Sequence, residues 1–455
     1  MSDHDHGLQA IDPRIIGAAN EGCAESRLLM SRRAMLGVSA ALFSSAFLPN
    51  FASGATNPDA RFLVVVLRGG MDGIGMVVPT TDPDYVAARQ ELAIAPELTL
   101  TLNTDFGLHP ALAGVHSMYQ AGDAAFVPAV GLPLRNRSHF ECQDNLENGL
   151  PGNTVNQTGW LNRLLGSLPA GDPIRMARGL EIGEAPLILS GPEPVLGWSP
   201  TWFNKGTPEN IARLEAVYTQ MDSQLWNSLS NGLAADALAL AEGAGQDNVS
   251  VLRKGFIGAA RLLRAATGPR IAVLSVGGWD THSDQADSDP LVGQMADRMT
   301  DLDQAIGDLK TELGAAWENT VAICVTEFGR TVETNGSRGT DHGIATASIL
   351  VGGAVQPGQI GDWPTLAPAA LLEDALYPAT DFRAVFKSIL NQHMGVPSDV
   401  LESIVFPGSA GIVLPAKLIS GPKRAERLVS SFKRPLTPQE VAPIARYRKQ
   451  YGIDS

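Results

Sequence analysis

The feature that most constrains the fold is a set of short hydrophobic runs, each giving way to chemically loaded residues. Residues 62–67 (FLVVVL) lead to Asp72, and residues 271–276 (IAVLSV) lead to Asp280 and His282. Residues 321–326 (VAICVT) lead to Glu327, with Asp341 and His342 one loop later. Apolar runs of this length bounded by glycine read as buried strands. Similar runs at 124–130, 185–189 and 347–352 alternate with segments of helical periodicity, the rhythm of a parallel sheet covered on both faces. The expected fold is therefore α/β, a doubly wound, mostly parallel sheet with helices on both faces. Ligands of such sheets bind beyond the carboxyl ends of the strands. Carboxylates and imidazoles delivered there from distant parts of the chain predict one convergent metal site in an enzyme.

Between these runs, a long helical region opens at Thr207-Pro208-Glu209, with Thr207 as cap, and extends to about residue 242. Further helices are expected over 247–266, 291–317 and 381–394. In the third, Met295, Met299, Leu302, Ile306, Leu309 and Leu313 recur at helical spacing and form a core stripe. Residues 131–160 and 328–343, rich in Gly, Asn, Arg and Ser, read as active-site loops. No internal repeat is visible, nor a domain boundary before about residue 410.

The two ends read differently from the body. Residues 1–55 read as an export signal: Ser31-Arg32-Arg33-Ala34-Met35-Leu36 resembles the twin-arginine export box, and a mostly apolar stretch from Ala34 to Leu48 follows it. That stretch is shorter than the roughly 20 apolar residues of a membrane span, and Ala52-Ser53-Gly54-Ala55 offers a cleavage site; the alternative is a retained anchor. The resemblance implies export by the twin-arginine machinery to the periplasm or beyond, with the chain already folded. The last 45 residues carry nine Lys or Arg against three acids and five prolines. They read as an extended basic arm (411–455) lying along the acidic body, or at an anionic envelope surface. The domain between spans 56–410.

Composition excludes some classes. A net charge of −14 disfavours nucleic acid as a partner. Beyond the signal only Cys142 and Cys324 remain, too few and too far apart for a disulfide framework. No later segment is apolar enough for a transmembrane anchor. The glycines of Arg68-Gly69-Gly70-Met71-Asp72-Gly73 do not have the GxGxxG spacing of a dinucleotide site.

Several residues are candidates for the chemistry. Asp72 is a suitable metal ligand. Asp280 and His282, two apart on an extended segment, can reach one ion. Glu327 adds a carboxylate, and Asp341 with His342 adds another acid–imidazole pair. Taken singly, each reads more readily as a turn or cap residue at a strand end. Ser138, with Glu141 three residues later, has the form of a capping box, and a hydroxyl beside a cation can also act as a nucleophile. Arg135 and Arg137 can clamp an anion, and His139 can shuttle a proton or bind metal. Cys142 is a rival nucleophile without an evident base. His109 reads as structural or as a support behind the site, and His116 and His393 as surface or satisfied core residues.

The motifs LRGGMDG, FGLHPAL, RSHFECQD, GGWDTH, TEFGRT and GTDHG resemble the domain-of-unknown-function family numbered 1501, over about residues 60–408. That family is similar to the alkaline phosphatase superfamily. The resemblance implies an alkaline phosphatase-like fold, two divalent ions and a hydroxyl nucleophile at Ser138. One placement makes Asp341-His342 the superfamily's Asp-His pair and leaves its late histidine unassigned. The other puts Glu327 at that strand end and makes His342 the late histidine. Asp72, Ser138 and Glu327 then hold one ion and Asp280, His282 and His342 the other.

Two functions follow as expectations. The first is an exported hydrolase of phosphate or sulfate esters, with an anionic ester as substrate and zinc as the first choice of metal, ahead of calcium, manganese or magnesium. The second is a non-catalytic exported protein of the same fold that binds metal or an envelope polymer, or assists assembly of a secreted partner.

Overall fold

Apolar side chains at every position from Phe62 to Leu67 leave no face for water, and the strand they form, β1 (Arg61–Leu67), runs through the middle of the main sheet. The computed structural model describes residues 57–152, 158–183, 186–200, 207–412 and 417–420. The expected export signal lies outside these residues, as does most of the expected basic arm. After β1 come β2 (Val77–Pro79), β3 (Leu100–Thr101), β4 (Phe106–Leu108), β5 (Ala124–Gly131), β6 (Gly179–Ile182) and β7 (Val195–Trp198). The rest are β8 (Ile271–Val276), β9 (Thr320–Val325), β10 (Thr346–Val351), β11 (Gly358–Gln359) and β12 (Thr380–Asp381). The main sheet has the order β11-β5-β10-β9-β1-β8-β6-β7, with β12 also on β5; β2, β4 and β3 form a small second sheet.

Strands β9, β1, β8, β6 and β7 are parallel, as expected for a doubly wound sheet. β10 runs antiparallel to both β9 and β5. This reversal positions the site: the segment between β9 and β10 leaves and re-enters the sheet at one edge. Asp341 and His342 therefore lie beyond the same ends as the segments following β1, β5 and β8.

The alternation of side chains along β1 divides the core. Leu63, Val65 and Leu67 face the helices Val251–Arg264 and Gln294–Leu313. Phe62, Val64 and Val66 face Trp160, Phe386 and the helices Trp160–Ser167 and Phe382–Gln392. The six-residue stripe from Met295 to Leu313 is buried as expected.

Two expectations need correcting. The apolar run at 185–189 is not a strand in its described part: Leu187–Leu189 is a buried 3-10 turn, and the strands lie on either side as β6 and β7. A short apolar run buries as well in a turn as in a ladder. The helix expected over 207–242 is two helices, Pro208–Met221 and Ser223–Ala241. Asp222, with φ −153° and ψ 100°, breaks the first and accepts from the Gln224 and Leu225 amides to cap the second.

Candidate metal centre

Three imidazoles and one carboxylate meet at this edge. His139 opens the helix His139–Asn148 after β5. Asp280 and His282 follow β8, and His342 precedes β10. The His282 Nε2 lies 3.1 Å from Asp280 Oδ1 and 2.9 Å from the His342 Nε2. The His342 Nε2 lies 3.2 Å from Asp280 Oδ1, and the His139 Nε2 3.5 Å from Asp280 Oδ2. Among the described residues, His139, Asp280 and His342 bring ligand atoms within 4.8 Å of one another.

The opposite ring nitrogens fix the tautomers. The His139 Nδ1 donates to Glu327 Oε1 at 2.8 Å, the His282 Nδ1 to Asp341 Oδ1 at 2.9 Å, and the His342 Nδ1 to the Arg137 carbonyl at 2.9 Å. Each acceptor is a carboxylate or carbonyl, so each Nδ1 carries the proton and each Nε2 presents a lone pair. Two such lone pairs at 2.9 Å repel unless a proton or cation lies between them. Bonds of 2.0–2.1 Å to a tetrahedral zinc place its ligand atoms about 3.3 Å apart, and the measured separations bracket that value. The donor set fits a divalent cation.

The charges agree with this. Burial alone would raise the Asp280 carboxyl, but Arg330, then His282 and His342, hold it below the usual carboxylate range. Burial lowers His342, and repulsion from His139 and Arg330 adds to it, so its ring favours the neutral form that binds metal. Arg330, fully buried, donates to Asp280 Oδ1 at 2.6 Å and to the carbonyls of Gly69, Gly70, Trp279 and Thr340. It ties the β1, β8 and β9 segments together. Gly69 (φ +123°) allows the close approach: a Cβ there would sit 2.4 Å from the Asp280 nitrogen.

Not every candidate joins the cluster. Asp72 is wholly buried and bound to the Arg89 guanidinium, with Oδ2 also accepting from Gln285 Nε2 at 2.7 Å and Oδ1 from the Gly75 amide at 3.2 Å. Glu327, also wholly buried, accepts at Oε1 from His139, the Gly69 amide (2.9 Å) and Gln143 (2.9 Å), and at Oε2 from Thr326 (3.0 Å). Burial would raise its carboxyl, but Gln143, His139 and the Gly69 amide outweigh burial and hold it low. It orients His139 rather than facing an ion. Asp341 does the same for His282, with Asn335 donating to it; the hydrogen bond from His282 is the chief cause of its lowered carboxyl. The ion set of Asp72, Ser138 and Glu327 implied by the resemblance therefore does not fit this geometry.

Ser138 is the N-cap residue of its helix, but its side chain makes no cap bond. The expected capping box is absent. Asn136 Oδ1 accepts from the Arg137 and Ser138 amides, and the Asn136 amide donates to Glu141. Arg137 pairs with Glu373 (3.2 Å) and Asp374. Arg135 lies over the Tyr377 ring at 4.9 Å and donates to its hydroxyl. Arg135, Asn136 and Arg137, together with Ile344, Leu372 and Glu373, line a cleft of about 370 Å³. Burial, with Glu327 and Glu141 nearby, pushes the Cys142 thiol up to about 12, which disarms it as a nucleophile. His109, His116 and His393 are buried and bonded to backbone, in structural roles.

Sequence reasoning missed Arg89, Gln143, Gln285 and Asn335. Gln143 stands in the RSHFECQD motif without an evident role there, the other three stand in none, and their roles depend on contacts across 6 to 213 positions.

This chain belongs to the DUF1501 family. The model of that family, described as Protein of unknown function, matches residues 59–405. No curated protein matches the chain in sequence. Among solved structures, the chain is similar to the C-terminal periplasmic domain of EcEptC from Escherichia coli, at 10% identity and a TM-score of 0.38, over 80% of this chain and 88% of that one. It is also similar to the phosphonate monoester hydrolase of Agrobacterium radiobacter (9% identity, TM-score 0.29, 76% and 77% covered). A third is a protein of the alkaline phosphatase superfamily from Vibrio parahaemolyticus (12%, 0.32, 68% and 64%). At these scores the likenesses assign neither fold nor chemistry. No helix among the described residues is long and apolar enough to cross a membrane.

Proposed function

We propose that this protein is an exported, metal-dependent hydrolase of phosphate or sulfate esters. Its alkaline phosphatase-like catalytic domain spans 56–410, and the twin-arginine route delivers it to the periplasm or beyond. The observation that carries this reading is the convergence of three imidazole Nε2 atoms on the Asp280 carboxylate, each imidazole held in its metal-binding tautomer. His139, Asp280, His282 and His342 would hold the ion, and their nitrogen-rich set favours zinc over calcium, manganese or magnesium. A divalent ion there supplies Lewis-acid charge to the ester oxygens.

The remaining roles fall to the chain itself. Ser138 adjoins His139, and its hydroxyl is free of the helix amides, so it is the nucleophile of this reading. Arg137, released from Glu373 and Asp374, and Arg135 would bind the anionic ester from the adjoining cleft. Glu327 and Asp341 keep His139 and His282 oriented.

One observation favours a second reading, a non-catalytic metal-binding protein that engages an envelope polymer or a secreted partner. His139, Asp280 and His342 bring ligand atoms within 4.8 Å of one another, and with His282 as a fourth ligand they would close a tetrahedral shell, as in structural zinc sites, whereas catalytic sites keep a position open. Assay of the purified metal-loaded protein on aryl phosphate mono- and diesters and aryl sulfates separates the two. The hydrolase reading expects turnover that Ser138→Ala abolishes while bound metal stays. Turnover unchanged in Ser138→Ala refutes the serine's role. Stoichiometric metal with no turnover on any ester favours the binding protein.

A further inference from the structure

We infer that this chain builds a single-cation centre, in which the Arg89 guanidinium occupies the place beside Asp72 that the resemblance gives to a second metal ion. This rests on the metal-site reading above and deepens it. Three observations carry it. Asp72 and Arg89 side chains are both wholly excluded from solvent and directly paired. The arginine places a delocalised positive charge against that carboxylate, where the resemblance gives one to a metal ion. The far side of the guanidinium is held by the Thr331 and Val332 carbonyls, each at 3.4 Å from its Nη1.

The acceptors on which a second ion would depend are already used. The Gly75 amide and Gln285 take two further positions on Asp72, and four donors reach Glu327, three at Oε1 and one at Oε2. Space is equally short: a single added Cβ on Gly75 would lie 2.9 Å from Asp72 Oδ2 and 3.7 Å from the Arg89 Nη2.

The fixed cation also has a positioning role. Gln285 donates to Asp72 through Nε2, and its Oε1 accepts from Thr281 and Thr340, each at 2.8 Å. Thr281 lies between Asp280 and His282, and Thr340 precedes Asp341 and His342. The buried chain from Arg89 through Asp72 to Gln285 therefore pins both ligand-bearing segments. A small, strongly charged divalent ion at Asp72 would have to break it.

Metal stoichiometry on the full-length protein tests this. The protein is stripped, reconstituted with excess zinc, passed through a desalting column and analysed by elemental mass spectrometry. A parallel sample carries Mn(II) for electron paramagnetic resonance. One equivalent per chain and an uncoupled Mn(II) signal are expected. Asp72→Asn should keep that one equivalent, and His342→Ala should lose it. Two equivalents, or a spin-coupled manganese pair, overturn the inference while leaving the metal-dependent hydrolase standing. No bound metal at all removes the metal-site reading, and this inference with it. Should Asp72→Asn fail to fold, the wild-type stoichiometry and spectrum still decide.

Discussion

Replacing Glu327 with glutamine tests whether the buried carboxylate behind His139 sets the strength of the centre. The substitution keeps the shape. The side-chain oxygen can remain at Oε1, accepting from His139, Gly69 and Gln143, while the new amide donates to the Thr326 hydroxyl at the Oε2 position. What disappears is the charge. A hydrogen bond to an ionised acceptor is worth about twice a neutral one, so each of the three bonds to Oε1 weakens by about 1 kcal/mol. Relief of a buried charge offsets part of that loss in stability, but nothing restores the basicity lent to the His139 ring. Removing such an orienting partner weakens metal binding by about 10–100-fold, or about 1.4–2.7 kcal/mol. Asp341 provides the internal comparison. It makes the same bond to His282, but its side chain is 60% exposed whereas that of Glu327 is wholly buried. Water can replace it, and exposed pairs contribute at most about 1 kcal/mol, so Asp341→Asn should cost no more than about fivefold. Competition with a chromophoric zinc chelator at neutral pH gives both affinities, and circular dichroism confirms folding. Equal losses in the two variants, or a larger loss in Asp341→Asn, would refute the reasoning that burial of the partner governs the site.

Two further outcomes are expected. Burial lowers His109 and His393 to about 4; the unfolded chain takes up their protons first, so stability present above about pH 6.5 is lost as pH falls toward 4, by about 3 kcal/mol each. Denaturant titrations of the metal-free protein at pH 7 and pH 5 should show a smaller difference for His393→Gln than for the wild type, and an unchanged difference contradicts the assignment. Gly70→Ala places a Cβ at φ +70°, 2.3 Å from the Phe328 ring, which itself lies 4.8 Å from His139 and 4.7 Å from His342. It should cost about 1–3 kcal/mol in a chemical-denaturation curve and weaken zinc binding as well; full retention of both shows that the ring has room to move.

Much of this protein was legible in its sequence because it depends on local pattern. Five of the six apolar runs became buried strands, and β1, β5, β8, β9 and β10 follow them to within a residue or two. The principle that ligands gather at the carboxyl ends of parallel strands then brought Asp280, His282 and His342 together before any contact was known. Tertiary structure decided how the remaining candidates divide their work, because the role of a carboxylate depends on which donors reach it first. Arg89 claimed Asp72, while the Gly69 amide, Gln143 and His139 claimed Glu327. His139 turned its Nε2 toward Asp280, and Asn136 relieved Ser138 of its capping duty. The reversed strand β10 was equally out of reach, since an apolar run reads the same in either direction. Side-chain chemistry told the chain where charge would gather; only packing across long separations determined which charges a metal ion could still meet.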